Sequence, residues 1–120
     1  MRPILVWGRH GMLAQAIRRT WAHDEAVLFW GRSDLPTTRD QQHRKICRLT
    51  PSAIVNTSGY TNLRQVEASP HLAQELHIQT PTFLSAVSRD LGVPFVSVSS
   101  DYVFSGYGRS AWSELDAPEP

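Results

Sequence analysis

The amino-acid sequence predicts an α/β fold built on a doubly wound parallel sheet, and three observations carry the prediction. Short continuous apolar runs recur along the chain, stretches of helical apolar period separate them, and a glycine turn closes the first run. Runs without a polar face are the pattern of strands buried on both sides, and strands alternating with helices imply right-handed crossovers within one sheet.

The first run is Ile4-Leu5-Val6-Trp7, ending at Gly8. Beyond the turn, Leu13, Ile17 and Trp21, with Ala16 and Thr20 beside them, recur at helical spacing up to His23. Ala26 to Trp30 reads as a second strand closed by Gly31. A polar segment, Arg32 to Gln42, leads into a weakly amphipathic stretch with Ile46 and Leu49 that reads as a helix. Pro51 to Asn56 repeats the strand signal, and Thr57 to Asn62 is a small-residue loop of the kind that lets another molecule approach the backbone. From Pro70 the positions Leu72, Leu76, Phe83, Leu84, Val87 and Leu91 follow a helical period, with a kink expected at Pro81. Gly92 ends that helix and Pro94 opens the last strand, Phe95 to Ser99.

Composition narrows the function classes. The chain has 120 residues, 41% hydrophobic and 19% charged, the make-up of one soluble globular domain. A formal net charge of +1 with scattered arginines lacks the electrostatic footprint of a nucleic-acid binder. The longest apolar stretches are of strand length, so no membrane span is expected. Cys47 is the only cysteine, which excludes an internal disulfide, and no basic-then-apolar leader precedes the first strand; the cytoplasm is the expected compartment. His10, His23, His43, His71 and His77 form no i, i+4 pair with one another, and no metal site is assigned.

Three places carry chemistry. The segment Gly8-Arg9-His10-Gly11-Met12-Leu13-Ala14 joins strand to helix where the pyrophosphate of a dinucleotide rests in a Rossmann-type sheet. Gly8 permits the turn, Gly11 lets phosphates reach the backbone, and a small residue at position 14 lets helix and sheet pack closely. The bland alternative is an ordinary strand-to-helix turn, and Arg9 and His10 face either phosphate or solvent. After the second strand, where an acid selects NAD and an arginine accommodates the 2′-phosphate of NADP, stands Gly31-Arg32-Ser33. Arg32 tips the choice to NADPH over NADH, a plain surface arginine being the alternative. Third, Ser99-Ser100-Asp101-Tyr102-Val103-Phe104 follows the last strand at the edge where such sheets hold ligands. A hydroxyl there can hydrogen-bond a substrate carbonyl, although serines also end strands as caps.

With these motifs in view, the chain resembles the dTDP-4-dehydrorhamnose reductase family of extended short-chain dehydrogenases. The family's Ser-Thr-Asp-Tyr-Val-Phe appears with Ser100 for Thr, and its Asn-Ala-Ala-Ala-Tyr-Thr as Asn56-Thr57-Ser58-Gly59-Tyr60-Thr61. Glu67, Trp112, Glu114, Asp116 and Pro120 track further family positions. The resemblance implies reduction of the 4-keto group of dTDP-4-dehydrorhamnose by NAD(P)H. It implies that Gly11, Met12 and Leu13 touch the pyrophosphate, that Ser58, Gly59 and Tyr60 flank the adenosine, and that Tyr102, Val103 and Phe104 border the sugar nucleotide. Ser100 is then one member of a Ser, Tyr and Lys triad.

Departures accompany the matches. The family's adenine-contacting Asp-Leu pair falls on Asp34-Leu35 in one register, whereas the other, aligned on Gly31-Arg32-Ser33, puts Pro36 at that Asp. Its helix Asn falls at His77, its Asp-Lys pair at Arg64-Gln65, and Ala14 replaces a third glycine. No Tyr-x-x-x-Lys occurs in the sequence, and the resemblance puts that motif a few residues beyond Pro120. The expected organisation is therefore a partial, truncated Rossmann domain over 1–105 and a loop over 106–120 leading toward the Tyr and Lys and a substrate domain. Little or no reductase activity is expected of these residues alone. In the strand order 3-2-1-4-5-6, the strand from Phe95 to Ser99 is an uncovered apolar edge, so self-association or a homodimer is expected. Two other readings stay open: a sugar-nucleotide epimerase or dehydratase of the same extended family, and a nucleotide-binding regulatory module acting through a partner.

Overall fold

The computed structural model describes residues 1–21, 26–108 and 110–120. Among them, β1 (Ile4–Trp7), β2 (Val27–Trp30), β3 (Ala53–Asn56) and β4 (Phe95–Ser97) form one parallel sheet in the order β2-β1-β3-β4. Ile4 pairs with Val27 on one side and Ala53 on the other, and Ile54 pairs with Phe95. The helices are α1 (Met12–Thr20), α2 (Arg39–Leu49), α3 (Leu63–Ala68), α4 (Pro70–Gln74) and α5 (Thr80–Leu91), with a π turn, Glu75–Gln79, joining the last two.

Alternation along β1 divides the core. Leu5 and Trp7 point to one face, where they pack with Ile54, Ile46 of α2, and Leu84 and Val87 of α5. Val6 points to the other, against Ala14 of α1 and Val27. This explains why β1 reads as an unbroken apolar run: both faces are covered, and Leu5 and Val6 are wholly buried. Burial of each such side chain contributes about 1.5–3 kcal/mol. Ala14 is also wholly buried, and its size sets how closely α1 approaches the sheet.

The strand order corrects the expected 3-2-1-4-5-6. After β2 the chain makes a 3-10 turn, Arg32–Asp34, and then α2 carries it across to the far side of β1, so β3 pairs with β1 and not β2. The result is the other common doubly wound order, whose switch point lies between β1 and β3. Among the described residues β4 stands at the edge of the sheet, and its pairing stops at Ser97, with one further bond from Val98 N to Asn56 O.

Helix limits differ in three places. α1 ends at Thr20, capped through Trp21, and the expected end at His23 lies outside the described residues. α3 was not expected; Asn62 caps it, its Oδ1 accepting from Arg64 N and Gln65 N. At Pro81 no break occurs, because the strain is taken up one turn earlier as the π turn, leaving Pro81 in the first turn of α5.

Candidate functional site

Where β1 and β3 end side by side, their loops diverge and leave a cavity of about 590 Å³, within the range of small-molecule sites. Gly8 to Gly11 form one wall, Gly31, Arg32 and Leu35 a second, and Thr57 to Gly59 a third. Arg39 and Gln42 of α2, with Glu75, Leu76 and Thr80 from the far helix, close the end.

The glycine turn is held from both sides. Gly8 N and Arg9 N donate to Trp30 O, while Thr57 donates to Trp7 O through its N–H at 2.9 Å and its Oγ1 at 2.7 Å. Gly8 has φ +104, and a Cβ there would lie 2.8 Å from Thr57 Oγ1 and 2.9 Å from Ser58 N. Glycine is thus required both by conformation and by space. Gly11 N donates to Gly8 O and Gly11 opens α1 without a side-chain cap, and no acid stands in the first helical turn. The amides of Met12, Leu13 and Ala14 have no intrahelical partner, and the positive end of the helix dipole adds to them. A negatively charged phosphate group fits such a turn.

The second wall depends on Asp34. Its Oδ1 takes a 2.6 Å ion pair from Arg9 Nη1, and its Oδ2 accepts from Gly31 N at 2.7 Å. Partial burial works against the charged carboxylate, but the Gly31 N–H, Arg9 and Lys45 outweigh it and hold the pKa below the usual Asp value. Asp34 therefore braces the wall from behind while Leu35 faces the cavity. Arg39 pairs with Glu75 at 2.6 Å and lies 4.6 Å over the Phe83 ring. Arg32, by contrast, makes no ion pair among the described residues and is exposed at the cavity rim.

The third wall is set by Asn56, buried at the end of β3. Its Oδ1 accepts from Ser58 N and Ser58 Oγ, and its Nδ2 donates to Ser97 Oγ, tying the loop to β4. Farther along, Tyr60 N donates to His77 Nε2 at 3.2 Å.

Ser100 lies beyond β4 on the same carboxyl edge but does not line the cavity. Its Oγ accepts from Tyr102 N at 3.2 Å and donates to Asp101 Oδ1 at 3.3 Å, opening the 3-10 turn Asp101–Val103. Phe104 stacks on Trp112 at 4.9 Å, and Glu119 N donates to Val103 O, so the last residues fold back on this turn. Tyr102 is exposed, and Val103 and Phe104 are half-buried.

Of the residues singled out by sequence, the cavity gathers Gly8, Gly11, Arg32, Leu35, Ser58 and Gly59. Met12 and Leu13 adjoin it at the start of α1, Asp34 stands behind it, and Ser100 to Phe104 form a separate cluster. As cavity residues, Arg39, Gln42, Glu75, Leu76 and Thr80 escaped the sequence reading, which gives Leu76 only a place in a helical apolar period. Thr38 was the available signal for Arg39: its Oγ1 accepts from Gln41 N, so it caps α2 and places Arg39 in the first helical turn.

Comparison with known proteins agrees with the fold. The dTDP-4-dehydrorhamnose reductase of Salmonella typhimurium is 30% identical over 125 residues, covering 98% of this chain and 41% of that protein. The chain thus spans about two fifths of the length of that curated relative. The structure of a dTDP-4-dehydrorhamnose reductase from Clostridium acetobutylicum superimposes with a TM-score of 0.88 at 25% identity, covering 98% of this chain and 43% of that one. A Bacillus anthracis dTDP-4-dehydrorhamnose reductase in complex with NADP gives 0.85 at 21% identity, over 100% and 44%, a likeness of fold. Residues 1–120 match the family model described as the RmlD substrate binding domain, and with the whole sequence inside that match, the chain belongs to this family.

Proposed function

We propose that the chain provides the cofactor-binding part of an NAD(P)H-dependent reductase acting on a dTDP-4-keto sugar, with NADPH preferred over NADH. The observation that carries the reading is the glycine turn, where Gly8 admits no side chain and the uncapped start of α1 opens on a cavity of dinucleotide scale. In this reading Gly8 and Gly11 let the pyrophosphate settle against the amides of Met12 and Leu13. Arg32 meets the ribose 2′-phosphate, Leu35 packs on the adenine, and Ser58, Gly59 and Tyr60 follow the adenosine side through their backbone. Asp34 serves as the brace for Arg9 and Gly31. The NADP in the Bacillus anthracis relative supports the choice of cofactor class.

Toward the substrate, Ser100 is the hydroxyl that hydrogen-bonds the ketone oxygen, and Tyr102, Val103 and Phe104 border the dTDP-sugar. The cofactor, when bound, supplies the hydride. No Tyr-x-x-x-Lys lies within the sequence, so these residues bind and orient without providing the proton. The proposed setting is the cytoplasm, and no helix among the described residues is long and apolar enough to cross a membrane. Self-association through β4 belongs to the same proposal, since Val96 of that edge strand is 53% exposed.

Isothermal titration of the chain with NADPH, NADH and dTDP separately tests the reading. Saturable NADPH binding at least about tenfold tighter than NADH is expected from one added charge-assisted contact. No binding of either dinucleotide at millimolar concentration would refute it.

A further inference from the structure

The helical stretch from Pro70 to Leu91 changes its winding once, at the π turn Glu75–Gln79. Pro81 explains the position of the change. It has no N–H to offer the His77 carbonyl, and in a regular helix its ring would press on that same oxygen. The wider turn relieves the conflict: Thr80 N donates to Glu75 O, five residues back, and Thr82 Oγ1 donates to Ile78 O at 2.7 Å. Turns of this kind concentrate at functional sites.

Two side chains of the π turn then reach other elements. Glu75 pairs with Arg39 across the end of the cavity. His77 turns to the loop after β3, where its Nε2 accepts from Tyr60 N–H at 3.2 Å. Its Cε1 would lie only 3.2 Å from a Cβ at Gly59. Asn56 already fixes the loop at Ser58. His77 supplies a second anchor two residues on, at Tyr60; Gly59 lies between the two anchored residues, and Ser58 and Gly59 both line the cavity.

We infer that His77 is a positioning residue: carried by the π turn, it holds the Gly59-Tyr60 backbone in the form that makes the third wall of the nucleotide cavity. The inference rests on the reading of that cavity as the dinucleotide site. Its geometry, an acceptor aimed at one amide, belongs to the apo chain and can be tested apart from any ligand.

His77 is exposed, so replacing it leaves the core untouched. His77→Leu removes the acceptor, whereas His77→Gln puts a carboxamide oxygen near the place of Nε2. Two readouts are taken on both variants: hydrogen exchange at the Tyr60 amide without ligand, and the Kd for NADPH. In His77→Leu, exchange at Tyr60 is expected to quicken and the Kd to rise, each about fivefold, as fits the loss of one partly solvated hydrogen bond. In His77→Gln both should return toward wild type, a rescue that mere helix packing does not produce. An unchanged Tyr60 exchange rate and Kd in His77→Leu, or no rescue by His77→Gln, would overturn the inference. Tyr60 protection that follows the acceptor, in a wild-type chain that binds no NADPH, upholds the anchor and overturns the cofactor reading instead.

Discussion

Arg9 and Asp34, on the loops that follow β1 and β2, meet at 2.6 Å, and the second oxygen of Asp34 takes the Gly31 N–H. An acid in this region reads the ribose hydroxyls when its carboxylate is free. Here both oxygens already accept from the protein and the charge is matched by Arg9. That leaves Arg32 as the cavity charge without an ion pair among the described residues, and several expectations follow from the division of labour.

Asp34→Asn should lower stability at neutral pH by about 1 kcal/mol, allowing for the partial exposure of both partners. The pKa of Asp34 is lower in the folded chain than its ordinary value, so its carboxylate stabilises the fold above about pH 4 and that contribution is lost as pH falls through the lower folded value. Denaturant melts of both proteins should therefore differ at pH 7 and converge well below pH 4. A gap that persists or widens on acidification would contradict the brace.

Arg32→Ala should weaken NADPH about tenfold, the scale of one charge-assisted contact to phosphate, and leave NADH within about twofold. Titrations of the two dinucleotides give the ratio. Equal losses for both would place Arg32 outside the 2′-phosphate contact.

Gly8→Ala combines a strained φ with a Cβ 2.8 Å from Thr57 Oγ1, and should cost about 2–5 kcal/mol. Gly106→Ala is the control: φ is +76 but nothing lies within 4 Å of the new methyl, so only the backbone strain of about 1 kcal/mol remains. Thermal or denaturant unfolding of the pair separates crowding from conformation. Similar losses in both would show that the approach of Thr57 is unimportant.

Residues 1–120 by themselves leave β4 at the sheet edge, and association is predicted for these residues alone. Sedimentation velocity across the micromolar range should show a concentration-dependent species, and Val96→Lys should suppress it by placing a charge on the exposed strand. A monomer at every concentration would remove the edge from the account.

Much of this was legible in the residues, for physical reasons that differ by element. Ile4 to Trp7 announced a strand buried on both faces, and Leu5 and Val6 are buried on opposite faces. The glycine turn was legible because few residues tolerate what Gly8 does. Strand order was not, since the side of β1 that β3 joins depends on the path of α2, which no local pattern encodes. The short helix Leu63–Ala68 is too polar to show an apolar period, and only Asn62 marked it. Pro81 signalled a distortion but not its form, and so concealed that Glu75 and His77 would both reach the site. Asp34 and Leu35 stood as a pair in one register of the sequence; the fold separates them, one turned to Arg9 and the other to the cavity.

The most direct test of the central claim is a map of amide chemical shifts in the isotope-labelled chain titrated with NADPH. Saturable shifts should fall on Gly8 to Leu13, Arg32 and Ser58 to Tyr60, with the Asp101–Val103 turn little moved. Shifts confined to other surfaces, or none at saturating nucleotide, would contradict the assignment of this cavity as the cofactor site.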